Sequence, residues 1–388
     1  MSDKQSRVVT LLIVACGLLG MALMVYSTTW GPVVTSDSVY YIGSADNLVH
    51  GKGFGLPWGS GRFLLYAGDP PFYPLLIAGL ELLGLSVVGA ARWVAVFSFG
   101  LTILAVGRLS WRATRSVGLG LALSLLVLTS ALLSDLYTRA VSEAVFFLTG
   151  LSGAMWLLCY LESARLRDLL AGSVLLSAAF LTRYMGVALL LAGGVCLLWL
   201  SRLPWRTRLA HGALLMAVTC LPMLVWLAWT YSQTGMLGER ILHASGNLWQ
   251  ATTSFRLAFA DILWSWAPFN DALSAGYSAQ KVILGLLFLF LLAMGGLLAY
   301  RGLKGVADRS TSLPLLRWAL FFGLFSAFFT LVYALAFVFT LPRPDLNERL
   351  FSPLFVAISF IIFGLLFQAA QSWPGYACWR FCRWWRWR

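Results

Sequence analysis

The sequence predicts an all-α polytopic membrane protein with about ten transmembrane helices, within a range of about 10–12, and with interfacial helices in its outer loops. Of its 388 residues, 60% are hydrophobic and only 11% are charged, and the mean hydropathy is +0.81. A soluble domain carries about 25% charged residues. Long apolar runs separated by short polar gaps indicate membrane helices, so we treat residues 1–388 as a single integral membrane domain.

The basic residues set the orientation of the chain. The net charge of +13 would suit nucleic acid or an anionic membrane surface. The basic clusters, however, lie in short gaps between apolar runs or at the termini: Lys4/Arg7, Arg108/Arg112/Arg115, Arg165/Arg167, Arg202/Arg206/Arg208, Arg301/Lys304/Arg309/Arg317 and Arg380/Arg383/Arg386/Arg388. This is the positive-inside pattern, which places both termini in the cytoplasm and requires no nucleic acid. We therefore expect the basic aromatic tail, residues 371–388, to bind membrane lipids on the inner face.

With these clusters inside, the spans follow in order. We predict them at 8–28, 92–109, 117–134, 141–161, 168–182, 185–201, 209–230, 280–300, within 313–340, and at 351–370. Residues 29–91 form a first outer loop with a surface helix over 36–49, and residues 231–279 form a second long outer loop. The apolar segment 71–84 is too short to favour a span. A crossing there would force the cluster that begins at Arg108 outside, so we interpret the segment as re-entrant or interfacial.

The first outer loop is the longest polar interruption in the first half of the chain, and it cannot lie in lipid. Asp37 opens its surface helix, where it either caps the helix or acts as a catalytic carboxylate. Glu143 lies near the outer end of the fourth span, where burial favours a functional role. The alternative for Glu143 is an ion pair with Arg139, one helical turn earlier.

Two arginines, Arg183 and Arg349, lie at membrane boundaries on the outer side, where positive charge is disfavoured. One explanation is a bound phosphate, which arginine recognises with a bidentate fork. The other is snorkelling at a helix end, or a local salt bridge of Arg349 with Glu348 or Asp345. Both explanations stay open at this stage.

The sequence requires no cofactor. It contains no GxxxxGK[ST] phosphate loop, no HExxH and no GxSxG elbow, which disfavours nucleotide-driven pumps and soluble-type hydrolases. A divalent metal bound by outer carboxylates with His50 or His243 stays open. Their spacing matches no metal motif, so we interpret both as surface histidines.

Several short motifs occur in a characteristic order along the chain. They are Asp37-x-x-Tyr40-Tyr41 in the first outer loop, Pro70-Pro71, Asp135-Leu136-Tyr137-Thr138-Arg139, Arg183-Tyr184 and Glu348-Arg349-Leu350-Phe351-Ser352-Pro353. In this order the chain resembles the GT-C membrane glycosyltransferases that use polyprenyl-phosphate sugars, and among them the protein O-mannosyltransferase and lipid A aminoarabinose transferase group. The resemblance covers most of the chain and implies a GT-C-like fold.

The resemblance also implies an activity and a site. It implies an inverting hexosyl- or pentosyltransferase that moves a sugar from a polyprenyl-phosphate donor to a lipid, glycan or protein acceptor at the extracytoplasmic face of a bacterial inner membrane. The implied catalytic residues are Asp37, as general base, and Asp135. The substrate-binding candidates are Tyr40, Tyr41, Arg139, Glu143, Arg183, Tyr184, Glu348 and Arg349. The rival interpretation is a lipid-phosphate or solute carrier without chemistry. We favour the enzyme, because the polar residues gather at the outer face and no internal repeat is visible.

Overall fold

The computed structural model describes residues 3–58, 62–65, 68–238, 241–242, 248–266 and 313–372. Its helices are α1 Asp3–Ser27, α2 Ser36–Val49, α3 Phe72–Leu82, α4 Val87–Thr114, α5 Val117–Thr129, α6 Ala131–Thr138, α7 Glu143–Ser163, α8 Leu166–Thr182, α9 Gly186–Leu200, α10 Trp205–Thr234, α11 Leu248–Ser265, α12 Leu313–Phe339 and α13 Glu348–Ser372. Its strands are β1 Gly55–Trp58, β2 Arg62–Leu65, β3 Ile241–Leu242 and β4 Thr340–Leu341.

The helices confirm a polytopic membrane protein. In the described part of the chain, α1, α4, α7, α10 and α12 are long and apolar enough to cross a membrane, and the bent pair α5–α6 makes a sixth candidate. Three further predicted spans coincide with α8, α9 and α13. The span predicted at 280–300 lies outside the described residues. The apolar segment 71–84 forms α3, an 11-residue helix, which is too short to span.

The third predicted span is not one straight helix. It breaks at Ser130 into α5 and α6, whose axes are bent by 56°. The Ser130 backbone is extended, and its hydroxyl accepts a hydrogen bond from the amide of Leu133 to cap α6. Serine favours such capping geometry over a helix interior. The break turns α6 away from α5. Asp135 lies on α6 and takes its position from this bend.

The described residues also form two small antiparallel sheets, for which the sequence predicted no strand. Strands β1 and β2 form a hairpin that pairs Gly55 with Leu65. Strands β3 and β4 pair Ile241 with Leu341, joining the second outer loop to the end of α12. The second pairing unites segments far apart in sequence, for which the sequence offers no local signal.

Close helix packing builds the body of the molecule. Helices α1 and α4 meet at glycines: a Cβ added to Gly100 would lie 2.7 Å from the carbonyl oxygen of Gly17. Helices α7 and α8 meet in the same way, since a Cβ on Gly172 would lie 3.0 Å from the backbone nitrogen of Leu157. Small residues that let two backbones approach are typical of membrane helix pairs, where dispersion replaces the hydrophobic effect.

A second apolar core lies under α2 and α3. Tyr41 and Tyr73 are buried there, with ring centroids 5.1 Å apart at near right angles. Phe54 packs edge-on against Trp226 of α10, at 5.4 Å. This core packs the two short helices α2 and α3 against the longer helices α4 and α10.

Candidate active site

The start of α2 is held by its own cap. The Thr35 hydroxyl accepts a hydrogen bond from the amide of Ser38, and the Ser38 hydroxyl accepts one from the amide of Thr35. This reciprocal capping box satisfies two free helix-end donors. The N-cap alternative for Asp37 is therefore wrong, because Thr35 occupies that position and the carboxylate is left for another role.

A backbone bridge brings this cap to the start of α7. The amide of Val33 donates to the carbonyl of Thr138 at 2.8 Å, and the amide of Ala140 donates to the carbonyl of Val33 at 3.1 Å. The bridge fastens the segment before α2 to the segment between α6 and α7. As a result Asp37 and Glu143 lie in the same region, although they are far apart in sequence.

Four charged side chains form one network there. Glu143 is only 1% exposed, and its Oε1 lies 3.1 Å from Arg183 Nη1 and 3.0 Å from Arg349 Nε. The Nη2 of Arg349 also donates to Asp37 Oδ2 at 2.5 Å. The alternatives of a Glu143 pair with Arg139, and of a local pair of Arg349 with Glu348 or Asp345, are both wrong. One buried carboxylate instead joins two arginines, and one of these reaches Asp37.

Local structure places both arginines. Arg183 follows the last residue of α8, so it lies at the C-terminal end of that helix. Burial lowers the pKa of Arg183, but Glu143 and then Tyr41 outweigh burial and raise it above its ordinary value. Arg349 lies in the first turn of α13, where the side chain of Asn347 accepts a hydrogen bond from the amide of Leu350 and caps the helix.

A second group of polar contacts, formed by Ser142, Tyr41 and Asp69, supports Arg183. Its Nη1 donates to the Ser142 hydroxyl at 3.1 Å, and that hydroxyl is 3.1 Å from the Tyr41 hydroxyl. Tyr41 donates in turn to Asp69 Oδ2 at 3.0 Å. Burial and the neighbouring Asp69 raise the pKa of Tyr41 well above its usual value, so Tyr41 stays protonated and keeps donating. Ser142 carries no motif of its own, so the sequence alone did not identify it as part of the site.

The network opens into a solvent-accessible cleft of about 710 Å³. Its lining residues come from α2, α6, α11 and the approach to α13: Ser36, Asp37, Leu132, Asp135, Leu136, Arg139, Ala258, Asp261, Ile262, Asp345, Leu346, Asn347, Glu348 and Arg349. Five of these are carboxylates and two are arginines, so the cleft is acidic.

The structure brings together most of the residues singled out from the sequence. Asp37, Asp135, Arg139, Glu348 and Arg349 line the cleft, and Glu143 and Arg183 lie behind Asp37 and Arg349. Asp135 is 60% exposed and bound to Arg139 at 2.8 Å.

Three tyrosine candidates lie elsewhere. Among the described residues, Tyr40, Tyr41 and Tyr184 do not line the cleft. They pack in or against the core beneath α2 and α3.

A separate group of metal-ligand side chains lies between α2 and α3. One nitrogen of His50 and one oxygen each of Asp46 and Glu81 lie within 4.8 Å of one another. Partial burial and the Asp46 carboxylate raise the pKa of Glu81. None of the three lines the cleft.

Known structures provide a comparison for this arrangement. No protein-family model and no curated protein matches the sequence. The fold resembles ArnT from Cupriavidus metallidurans, with a TM-score of 0.53 and 18% identity for the apo structure, and 0.52 and 17% for the structure bound to undecaprenyl phosphate. The chain therefore shares the fold of ArnT. Each match covers 94% of this chain and 60% of ArnT, so this chain spans about 60% of the length of that protein.

Proposed function

We propose that this protein is a membrane glycosyltransferase that moves a sugar from a polyprenyl-phosphate donor to an acceptor in the cleft. The observation that carries the proposal is the contact between Asp37 and Arg349 within the cleft. It sets a carboxylate that can accept a proton beside a cation that can hold a phosphate. The shared fold with a protein whose structure contains undecaprenyl phosphate supports this donor class.

The chemistry we propose is a single displacement at the anomeric carbon, which inverts its configuration. The acceptor oxygen or nitrogen forms the new glycosidic bond while the bond from the anomeric carbon to the phosphate oxygen breaks. Asp37 takes the acceptor proton as general base, and the electron pair leaves with the polyprenyl phosphate. Arg349 neutralises the charge that develops on the departing phosphate, which is the usual use of an arginine clamp.

Glu143 and Arg183 prepare Arg349 for this role. Glu143 Oε1 forms an ion pair with Arg349 on the Nε side of the guanidinium, which leaves the Nη groups for the cleft and Asp37. Arg183 shares the same carboxylate oxygen and so offsets the charge of Glu143, which leaves the charge of Arg349 for Asp37 and a bound phosphate. Arg349 therefore offers a phosphate a cationic contact in a cleft that is otherwise acidic. We propose that the cleft opens at the extracytoplasmic face of a bacterial inner membrane, with both termini cytoplasmic.

The test is transfer of labelled sugar from polyprenyl-phosphate donors by purified protein in nanodiscs. Donors with different hexoses and pentoses are offered together with lipid, glycan and peptide acceptors. We expect a glycosidic product and free polyprenyl phosphate in equal amounts. A carrier would instead move donor across proteoliposome membranes with the sugar–phosphate bond intact, and that result would replace the enzyme assignment.

A further inference from the structure

Three side chains of metal-ligand type meet at the end of α2 opposite to Asp37. Asp46 and His50 are one turn apart at the C-terminal end of α2, and Glu81 lies near the C-terminal end of α3. Their ligand atoms lie within 4.8 Å of one another, although they come from two helices. The His50 side chain is 56% exposed, and its Nδ1 lies 2.8 Å from the backbone carbonyl oxygen and 3.4 Å from Oδ1 of Asp46, so an ion bound through Nδ1 would replace the contact with that carbonyl.

Within the described part of the chain, this group is electrostatically incomplete. Glu81 Oε2 is closed off from solvent, and the polar group beside Glu81 is another carboxylate, that of Asp46. The ligand oxygens of the two side chains lie within 4.8 Å of each other. Two carboxylates this close repel each other unless a proton or a cation lies between them. A cation bound by both would remove the repulsion.

We propose that Asp46, His50 and Glu81 bind one divalent transition-metal ion, with Zn²⁺ the best match, which clamps the end of α2 to the end of α3. One imidazole nitrogen with two carboxylate oxygens is a donor set that suits Zn²⁺ and leaves a fourth position for water. Mg²⁺ and Ca²⁺ prefer oxygen ligands alone.

The proposed clamp is structural and separate from the active site. Asp37 and Asp46 are nine residues apart on one helix, which places them about 13 Å apart along its axis. The ion would hold α2 at one end while the capping box and the Arg349 contact hold it at the other. The proposal therefore stands whether or not the cleft transfers sugars.

The experiment measures metal binding by tag-free, metal-stripped protein in detergent, through the shift of its unfolding temperature as Zn²⁺ is titrated. We expect a saturable upward shift in wild type and a much smaller response to Mg²⁺ or Ca²⁺. Glu81→Gln and His50→Ala should each weaken Zn²⁺ affinity by at least about tenfold, since each removes a ligand. Asp135→Asn, which removes a cleft carboxylate instead, should bind Zn²⁺ like wild type.

Four results would overturn the proposal. The first three are no saturable Zn²⁺ response in wild type, less than tenfold weakening in His50→Ala, and a response to Mg²⁺ equal to that to Zn²⁺. His50 is exposed, so its alanine variant should fold even if Glu81→Gln does not. If Asp135→Asn weakened Zn²⁺ affinity as much as His50→Ala does, the ion would belong to the cleft, and the proposed clamp would be contradicted.

Discussion

At the scale of single residues, Glu143 is the side chain on which the site depends most. It is 1% exposed and forms ion pairs with two partly buried arginines. Glu143→Gln would leave Arg183 without its ion-pair partner and Arg349 with Asp37 alone. Removing one partner of a buried ion pair costs about 3–5 kcal/mol, so we expect a clearly lower unfolding temperature.

A matched control for this prediction is Asp135→Asn, which breaks the exposed pair with Arg139. Such surface pairs contribute about 0–1 kcal/mol, so its unfolding temperature should stay near wild type. Thermal unfolding of both variants in one detergent measures the difference. Equal losses would show that Glu143 does not hold the network together.

Asp37→Asn tests the general base. The cap of α2 is Thr35, so the helix should form normally in this variant, and asparagine can still accept a hydrogen bond from Arg349. We expect turnover to fall by roughly 10²–10⁴-fold, the usual contribution of general base catalysis. The readout is kcat in the sugar-transfer assay, with circular dichroism as the folding check. Full turnover would shift the base to Asp135.

Arg349→Lys tests the phosphate role. Lysine keeps the charge but cannot contact Asp37 and Glu143 at the same time through two nitrogens, as the guanidinium does. We expect the KM for the donor to rise by at least about tenfold, equivalent to about 1.4 kcal/mol. Titrating wild type and Arg349→Lys with polyprenyl phosphate alone compares their affinities for the donor phosphate without turnover. Unchanged donor affinity in both measurements would contradict the assignment.

At the scale of elements, local signals in the sequence predicted helices well and their breaks poorly. The surface helix predicted over 36–49 is confirmed residue for residue by α2, since its cap and amphipathic pattern are local. The break at Ser130 was missed, because one serine within an apolar run is compatible with a continuous helix. The β3–β4 pair was missed because its partners are far apart in the chain.

The cap of α2 supports a prediction at this scale. Thr35→Ala removes a capping box next to Asp37, and Ser116→Ala removes a comparable cap from α5, away from the cleft. Each should lower stability by about 1 kcal/mol. Only Thr35→Ala should also lower turnover, because it frays the turn that carries Asp37. Equal turnover in the two variants would show that the position of Asp37 does not depend on its cap.

At the scale of the whole molecule, the site is built from contacts that no local pattern contains. Asp37 and Arg349 are 312 residues apart in sequence. Motif order identified both residues, but their contact depends on the packing of α2, α7 and α13 together. For the same reason the sequence suggested the wrong partners for Glu143 and Arg349, since a local ion pair was the nearest alternative in each case.

The orientation of the whole chain in the membrane is the last prediction. The positive-inside pattern places Ser60 and Ser254 outside and Ser310 inside; Ser254 is exposed on α11, while Ser60 and Ser310 lie outside the described residues. Single cysteines at these positions, in a variant without the six native cysteines, are treated with a membrane-impermeant thiol reagent in intact cells. We expect positions 60 and 254 to be labelled, and position 310 to be labelled only after permeabilisation. The cleft includes residues of α11, so labelling of position 254 from outside would also assign the cleft to the outer face. Labelling of position 310 in intact cells would contradict the ten-span topology, because the basic cluster around it would then face outward.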